Sequence, residues 1–533
     1  MPILNTECTP ESVGLCSTRL HKIATNVIDR FVEENQIPFG QVLVARRNKI
    51  CYQYQAGMMN VKQASPIQND SIFRIYSMTK PITSVTLMAL QEQGCFRLTD
   101  PLGLYLPEFD KANLHVYKSG LKQLGNGKYV YNSEACNQDI TIQMLMNHTS
   151  GLSYGFDKPG LINPVDRLYH AVGPGTTGQR AGRPDMPLDV FCKKLAKMPL
   201  VCQPGTQWNY SLSVDVQGRL IEVLTGKSLY EAMKDLVLDP LGMVDTYFSC
   251  PRDQLHRFAN LYIPNPFAAE DVKDMKNNAA KNAAIMAAAK QKGDKAVSAA
   301  AAYIKSKNRK SGGLSSLIPP SKLLSVAASG SIIDFTAATQ HSFVKGLHGV
   351  DANSKTFESG GGGLLSTMHD YYLFANALAN GGVSSSGTRI LSRKTMQYMT
   401  MNHLPNDLDL GALATPQYSE IGTAGAGFGL GFSVVVDPTR QGVPVSTGTF
   451  AWGGAASTYF WVDPEEELVV VFMTQLLGNG TQATDTKYYP LKGVPMRPML
   501  QSIVYGSIID GDMKSLAKFK SGTPEVRPHT PKL

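Results

Sequence analysis

Apolar residues recur at helical spacing from Ser17 to Glu34, where Leu20, Ile23, Ala24, Val27, Ile28, Phe31 and Val32 fall on one side and Ser17 can cap the first turn. Pro38 and Gly40 end that pattern. The segments Gln41 to Ala45 and Ile50 to Tyr54 then read as two strands of a hairpin around an Arg46 to Lys49 turn. Strand-like runs return near the other end of the chain, at Phe428 to Val436, Tyr459 to Val462 and Leu468 to Phe472, with Asp463-Pro464 opening a turn. A last helix is predicted from Met496 to Ile509. Between these ends the pattern predicts helices over Pro81 to Gln93, Ile140 to Asn147, Val214 to Leu224, Leu229 to Leu236 and His369 to Ala379.

Strands at both ends with helices between them predict an α/β (α+β) fold, in which one antiparallel sheet is assembled from the two chain ends and flanked by helices, beside a mostly helical domain. Residues 1–76 would supply the first part of the sheet domain, 77–345 the helical domain, 346–513 the rest of the sheet, and 514–533 a basic tail. The stretch from about Ala268 to Lys310 differs from the rest. It carries 14 alanines between Ala268 and Ala302, is rich in lysine, and has no aromatic residue before Tyr303. Alanine and lysine favour helix, yet little large apolar surface is present to dock one, so this reads as a solvated helical or disordered insertion.

Composition adds a globular frame: 533 residues, 43% hydrophobic, 18% charged, net charge +8. The charge is local. Ten basic residues stand against four acidic ones between Glu270 and Lys310, and five against one from Lys514 to Leu533, so the remainder is close to neutral. The insertion has few arginines and no aromatic interleaving, which argues against a nucleic-acid partner. Eight widely spaced cysteines without a C-x-x-C read as mostly reduced thiols. Neither a basic, apolar leader at the N-terminus nor an apolar run long enough to span a membrane is seen. The sequons at Asn147 and Asn209 fall in the motif region discussed below, where a glycan would obstruct chemistry. A cytoplasmic protein is expected; Pro531-Lys532-Leu533 is a proline variant of the Ser-Lys-Leu peroxisomal address, and a frayed basic tail is the simpler reading.

Ser-x-x-Lys occurs four times, at Ser77, Ser119, Ser342 and Ser515. The chemistry needs the serine at the start of a buried helix with the lysine three residues on, facing the same way. Only Ser77-Met78-Thr79-Lys80-Pro81 has that context, with Ile82, Val85, Leu87, Met88 and Leu90 apolar on several faces and Pro81 suited to a first turn. Ser119 falls in a Gly-rich polar loop and Ser515 in the basic tail. Gly151-Leu152-Ser153-Tyr154-Gly155 fits a G-x-S-x-G elbow, but that motif turns sharply from a strand into a helix, and here a helix precedes it. It is set aside.

Five motifs then resemble, in order, those of the serine β-lactamase-like superfamily (class C β-lactamases and penicillin-binding proteins), most closely the family VIII carboxylesterases. They are Ser77 to Pro81; Leu145-Met146-Asn147-His148-Thr149-Ser150-Gly151-Leu152; Pro204 to Leu212 with Asp215-Val216 following; Ser359 to Thr367 with Asp370-Tyr371; and Trp452-Gly453-Gly454 ahead of Tyr459 to Asp463.

The resemblance implies a serine hydrolase with Ser77 as the acylated nucleophile, Tyr210 as general base, and Lys80 holding it ionised. Both bases have unperturbed pKa values near 10, so roughly one molecule in a thousand or fewer would hold the basic form at pH 7 without help. Burial and mutual charge supply that help, and the two groups titrate as a unit. The backbone N–H groups of Ser77 and Ala455 would hold the oxyanion. Trp452, Gly453, Gly454, Leu212 and Tyr154 would line the substrate. Leu212 and Trp452 stand where β-lactamases carry an amide and a cation, which favours small uncharged esters over β-lactams. His148 reads as a structural loop residue, and the Gly360 to Gly363 run as a turn. The ten histidines form no metal-binding pattern, and neither a metal nor a cofactor is expected. A β-lactamase or D-amino-acid peptidase on a small-molecule amide, and a catalytically silent scaffold or filament protein, are the competing readings; oligomeric state is open. Deleting Ala268 to Lys310 is expected to leave a folded protein that hydrolyses p-nitrophenyl acetate at the full-length rate, measured side by side with the intact chain.

Overall fold

The computed structural model of the chain describes residues 6–155, 163–171, 186–264, 332–334, 336, 357–414, 424–477 and 496–509. The Ala/Lys-rich insertion, Ser342, Ser515 and the basic tail lie outside them.

The predicted sheet of two chain ends is present and is eight strands wide. Its strands are β1 (Phe39–Arg46), β2 (Lys49–Asn60), β3 (Ser65–Pro66), β4 (Ala426–Phe428), β5 (Ser433–Val435), β6 (Phe450–Gly453), β7 (Tyr459–Asp463) and β8 (Leu468–Met473), in the order β4-β5-β6-β7-β8-β1-β2-β3. Every pairing is antiparallel. The two chain ends meet where Gln41 faces Met473 and Arg46 faces Leu468. The β1–β2 hairpin turns through Arg47 and Asn48, both at positive φ (54° and 61°), the geometry that matches strand twist in a two-residue turn.

Both faces of this sheet are buried, which is why β8 is apolar at nearly every position rather than alternating. Val42, Val44, Trp461, Val470 and Phe472 point to one side, against the N-terminal helical segment and the helix Met496–Tyr505. Leu43, Phe450, Phe460, Val462, Val469 and Val471 point to the other, into the core shared with the helical part. That second core holds α1 (Thr79–Glu92), α2 (Ser213–Thr225) and α3 (Met368–Ala379).

Three expectations need correction. The single helix over Ser17 to Glu34 is α-helical at Ser17–Leu20 and Arg30–Glu33, with a π-helical turn at Ala24–Asp29 between; the apolar stripe still lies against the sheet. Phe428 to Val436 is not one strand. It folds back on itself as β4 and β5, because Gly431 takes φ +108° at the reversal. Ser119 lies in a strand, not a loop: His115–Gln123 pairs with Tyr129–Ala135 in a hairpin whose side chains are mostly half-buried or exposed, so no alternation marks it in the sequence.

Phe460 is fully buried on β7, with its ring 5.1 Å from that of Tyr371 on α3. Phe460→Ala is expected to cost about 3–5 kcal/mol, read from the midpoint and slope of urea unfolding.

Candidate active site

Ser77 sits in a one-turn 3₁₀ segment, Tyr76–Met78, that runs directly into α1. Tyr76 has φ +44°, a left-handed backbone that non-glycine residues seldom adopt, and it turns the chain just before the serine. The next residues explain how so polar a helix can be buried. Thr83 donates to the Gly360 carbonyl at 2.7 Å, Thr86 to Ile82 at 2.8 Å, and Ser84 to Gln217 on α2 at 3.1 Å, so each hydroxyl is satisfied without water. Pro81 falls where the helix needs no N–H donor.

The three sequence-predicted reactive groups converge. Ser77 Oγ accepts from Lys80 Nζ at 3.1 Å and from Tyr210 OH at 2.7 Å, and all three residues are buried, Lys80 to 1% exposure. Lys80 Nζ also donates to the Gly361 carbonyl at 2.6 Å and lies 4.5 Å from the centre of the Tyr210 ring. If Tyr210 loses its phenolic proton, its bond to Ser77 reverses and the phenolate becomes an acceptor for the serine hydroxyl. Such an arrangement can activate a serine hydroxyl.

Tyr210 is held by its neighbours. Its ring is stacked between Tyr154 (centroids 5.1 Å apart, planes at 13°) and Trp208 (6.1 Å, 20°), and Trp452 approaches at 5.6 Å. His148 closes the cage at 5.0 Å. Its Nδ1 is 3.0 Å from Ser211 Oγ, and burial, with the nearby Lys80 charge, holds its imidazole well below the ordinary histidine range. His148 therefore remains neutral at physiological pH, a packing residue beside Tyr210. The loop bearing Tyr154 is anchored by Asp166, which accepts from Ser153 Oγ and from the Gly155 N–H at 2.9 Å. The Ser153 of the G-x-S-x-G sequence is thus engaged with a carboxylate and buried.

The remaining predicted residues surround this centre unequally. Gly453 ends β6, and Gly454 follows it so close to the Ile75 carbonyl, two residues before Ser77, that a side chain there would collide with it. Ala455 is exposed in the turn beyond. Leu212 is fully buried in the core at the entry to α2. The sequons are spent on structure: Asn147 donates to the His403 carbonyl at 2.9 Å, Asn209 donates to Cys202, and both side chains are buried. All eight cysteines are free thiols. Among the described residues, no group of three or more His, Cys, Asp or Glu side chains is placed to hold a metal ion, and no helix is long and apolar enough to cross a membrane.

Sequence reading missed the glycine-rich run's part in this centre. Gly361 presents its carbonyl to Lys80 while its N–H donates to Asp215 Oδ1 at 3.2 Å. A Cβ on Gly361 would stand 2.7 Å from Asp215 Oδ2, so only glycine lets the segment pass this close. The signal available was the unbroken glycine run together with an aspartate five residues after Tyr210.

A family model described as Beta-lactamase matches residues 24–493. The chain belongs to the beta-lactamase family. Within it, the chain is 28% identical over 439 residues to Protein Rv1367c of Mycobacterium tuberculosis, covering 81% of this chain and 84% of that one. It is 25% identical over 477 residues to Esterase EstB of Burkholderia gladioli, covering 88% and 94%. Among solved structures, "EstCE1, a hydrolase with promiscuous acyltransferase activity" superposes with a TM-score of 0.60 at 22% identity, over 92% of this chain and 99% of that chain. The fold and the motif order of this beta-lactamase-family chain therefore agree.

Tyr210→Phe keeps the stacked ring and removes the hydroxyl. It is expected to slow labelling of Ser77 by a fluorophosphonate probe by about 10²–10⁴-fold, while the unfolding curve stays close to wild type.

Proposed function

We propose that this beta-lactamase-family protein is a serine carboxylesterase or acyltransferase that passes the acyl group of a small ester through Ser77. The observation carrying this reading is the placement of Ser77 Oγ between Lys80 Nζ and Tyr210 OH, at 3.1 and 2.7 Å. The Lys80–Tyr210 pair accepts the hydroxyl proton, and Oγ adds to the ester carbonyl. The resulting oxyanion is met by the N–H groups of Ser77 and Ala455, the latter in the turn after β6. Collapse expels the alkoxide, which takes the proton back from the pair and leaves an acyl-serine. Water or an alcohol then adds by the same route in reverse, and this choice separates hydrolysis from acyl transfer.

The lining supports uncharged esters. Trp452, 5.6 Å from Tyr210, and Leu212, buried at the head of α2, offer neither a cation for a carboxylate nor an amide for a lactam side chain. Tyr154 and Trp452 both pack against the Tyr210 ring, the first stacked and the second tilted. The relative from Burkholderia gladioli is an esterase, and the solved EstCE1 is a hydrolase with promiscuous acyltransferase activity; both point the same way.

Ser77→Ala is expected to reduce p-nitrophenyl acetate hydrolysis to background and to abolish fluorophosphonate labelling. Exclusive turnover of nitrocefin by the wild type would overturn the ester reading in favour of a β-lactamase, and equal labelling of wild type and variant would remove Ser77 from the nucleophile's role. Absence of labelling in both would favour a silent scaffold.

A further inference from the structure

Asp215 lies on α2, fully buried, one layer behind the reactive groups. Its Oδ1 accepts from Ser359 Oγ at 2.6 Å and from the Gly361 N–H at 3.2 Å. Its Oδ2 is buried with no hydrogen-bond partner. Two donors on one oxygen explain why an acceptor stands here; they do not explain a charge. An asparagine carbonyl would accept the same two bonds without burying a formal charge, at the cost of an unpaired NH2 in place of Oδ2. The charge has a counterpart across Gly361, where the same residue's carbonyl accepts from the buried Lys80 ammonium at 2.6 Å.

We propose that Asp215 is a positioning residue for the Lys80–Tyr210 pair: it clamps Gly361 so that the carbonyl meets the ammonium, and its negative charge balances the cation behind Ser77. This rests on the acyl-serine reading above. Gly361 is held at both ends, N–H to Asp215 and C=O to Lys80, and lies so close to the carboxylate that a side chain there would collide with it. The groups facing the two partners are few. Around Lys80 stand Ser77, Tyr154, Tyr210 and the neutral His148. Around Asp215 stand Ser359, Lys80 and the Cys192 thiol, which burial pushes up and keeps neutral. Burial pushes the Asp215 carboxyl up, while the Ser359 hydroxyl, the Lys80 charge and the Gly361 N–H draw it back down.

A nearby negative charge favours the protonated form of the Lys80–Tyr210 pair whichever member carries the proton. Taking that charge away makes the pair easier to deprotonate, so the acid limb of the pH–rate profile must move to lower pH. Asp215→Asn keeps the size and one accepting oxygen and removes the charge, while placing an NH2 group where Oδ2 stood. Its kcat/KM for p-nitrophenyl acetate, normalised to the sites titrated by a fluorophosphonate probe, is expected to fall about tenfold or more, with the acid limb displaced downward by about one pH unit. A normalised profile superimposable on wild type would overturn the proposal, since loss of folded protein changes the number of titrated sites and not the limb. Should Asp215→Asn fail to fold, Ser359→Ala serves in its place. It removes a donor that stabilises the anion, which pushes the Asp215 carboxyl further up, and the limb is expected to move the same way by less; an unmoved limb would overturn the proposal. Failure of the ester reading itself would register separately, as wild-type protein that neither labels at Ser77 nor turns over the ester.

Discussion

A lysine with 1% of its surface exposed sets the terms for the centre of this molecule. Removing an ammonium from water costs several kcal/mol even after the protein relaxes, and neighbouring dipoles and charges must offset most of it. Here the Ser77 hydroxyl oxygen, the Gly361 carbonyl and the faces of two tyrosine rings surround Lys80. Each of these comes from a different stretch of chain: the start of α1, the loop before α2, the loop after Gly151, and the glycine-rich run ahead of α3. The cation therefore ties the helical part to the glycine run, and neither can shift without exposing or stranding it.

The aromatic cage performs a complementary task. Tyr210 has one rotatable ring to place, and stacking between Tyr154 and Trp208 leaves it little freedom. A ring fixed in this way holds its hydroxyl on Ser77 Oγ without a further loss of rotamer freedom. His148, at φ +60°, seals this cage from behind. A charged imidazole there would repel the ammonium, so burial that keeps it neutral also protects Lys80 from a second cation.

Much of this was legible in the sequence, for identifiable reasons. The apolar run Leu468 to Phe472 revealed a strand, which the structure covers on both faces, and the apolar surroundings of Ser77 separated it from three other Ser-x-x-Lys matches. What escaped were features set by contact between distant segments. Periodicity carries no trace of a hairpin such as His115–Gln123 with Tyr129–Ala135, because its side chains largely face water. A glycine's backbone carbonyl has no residue type to announce it, so the link from Gly361 to Lys80 was invisible until α1 and the glycine run were seen side by side. The fold-back at Gly431 was hidden for a similar reason: apolar residues on either side read as one strand, and only the backbone angle divides them.

The seam between β1 and β8 has a consequence for how the chain is made. Thr474 donates to the Phe39 carbonyl across 435 residues of sequence, and the strands on either side of that contact cannot pair until all the chain between them has left the ribosome. The hairpin of β1 and β2 must wait during synthesis with an apolar edge unsatisfied, an exposed template for pairing with other nascent chains. Once the last strands arrive, the long intervening stretch adds little further penalty, because closure entropy grows only with the logarithm of loop length. Long insertions in the middle of the chain are therefore tolerated by the finished protein, while the time taken to translate them lengthens the interval during which its first strands stand alone.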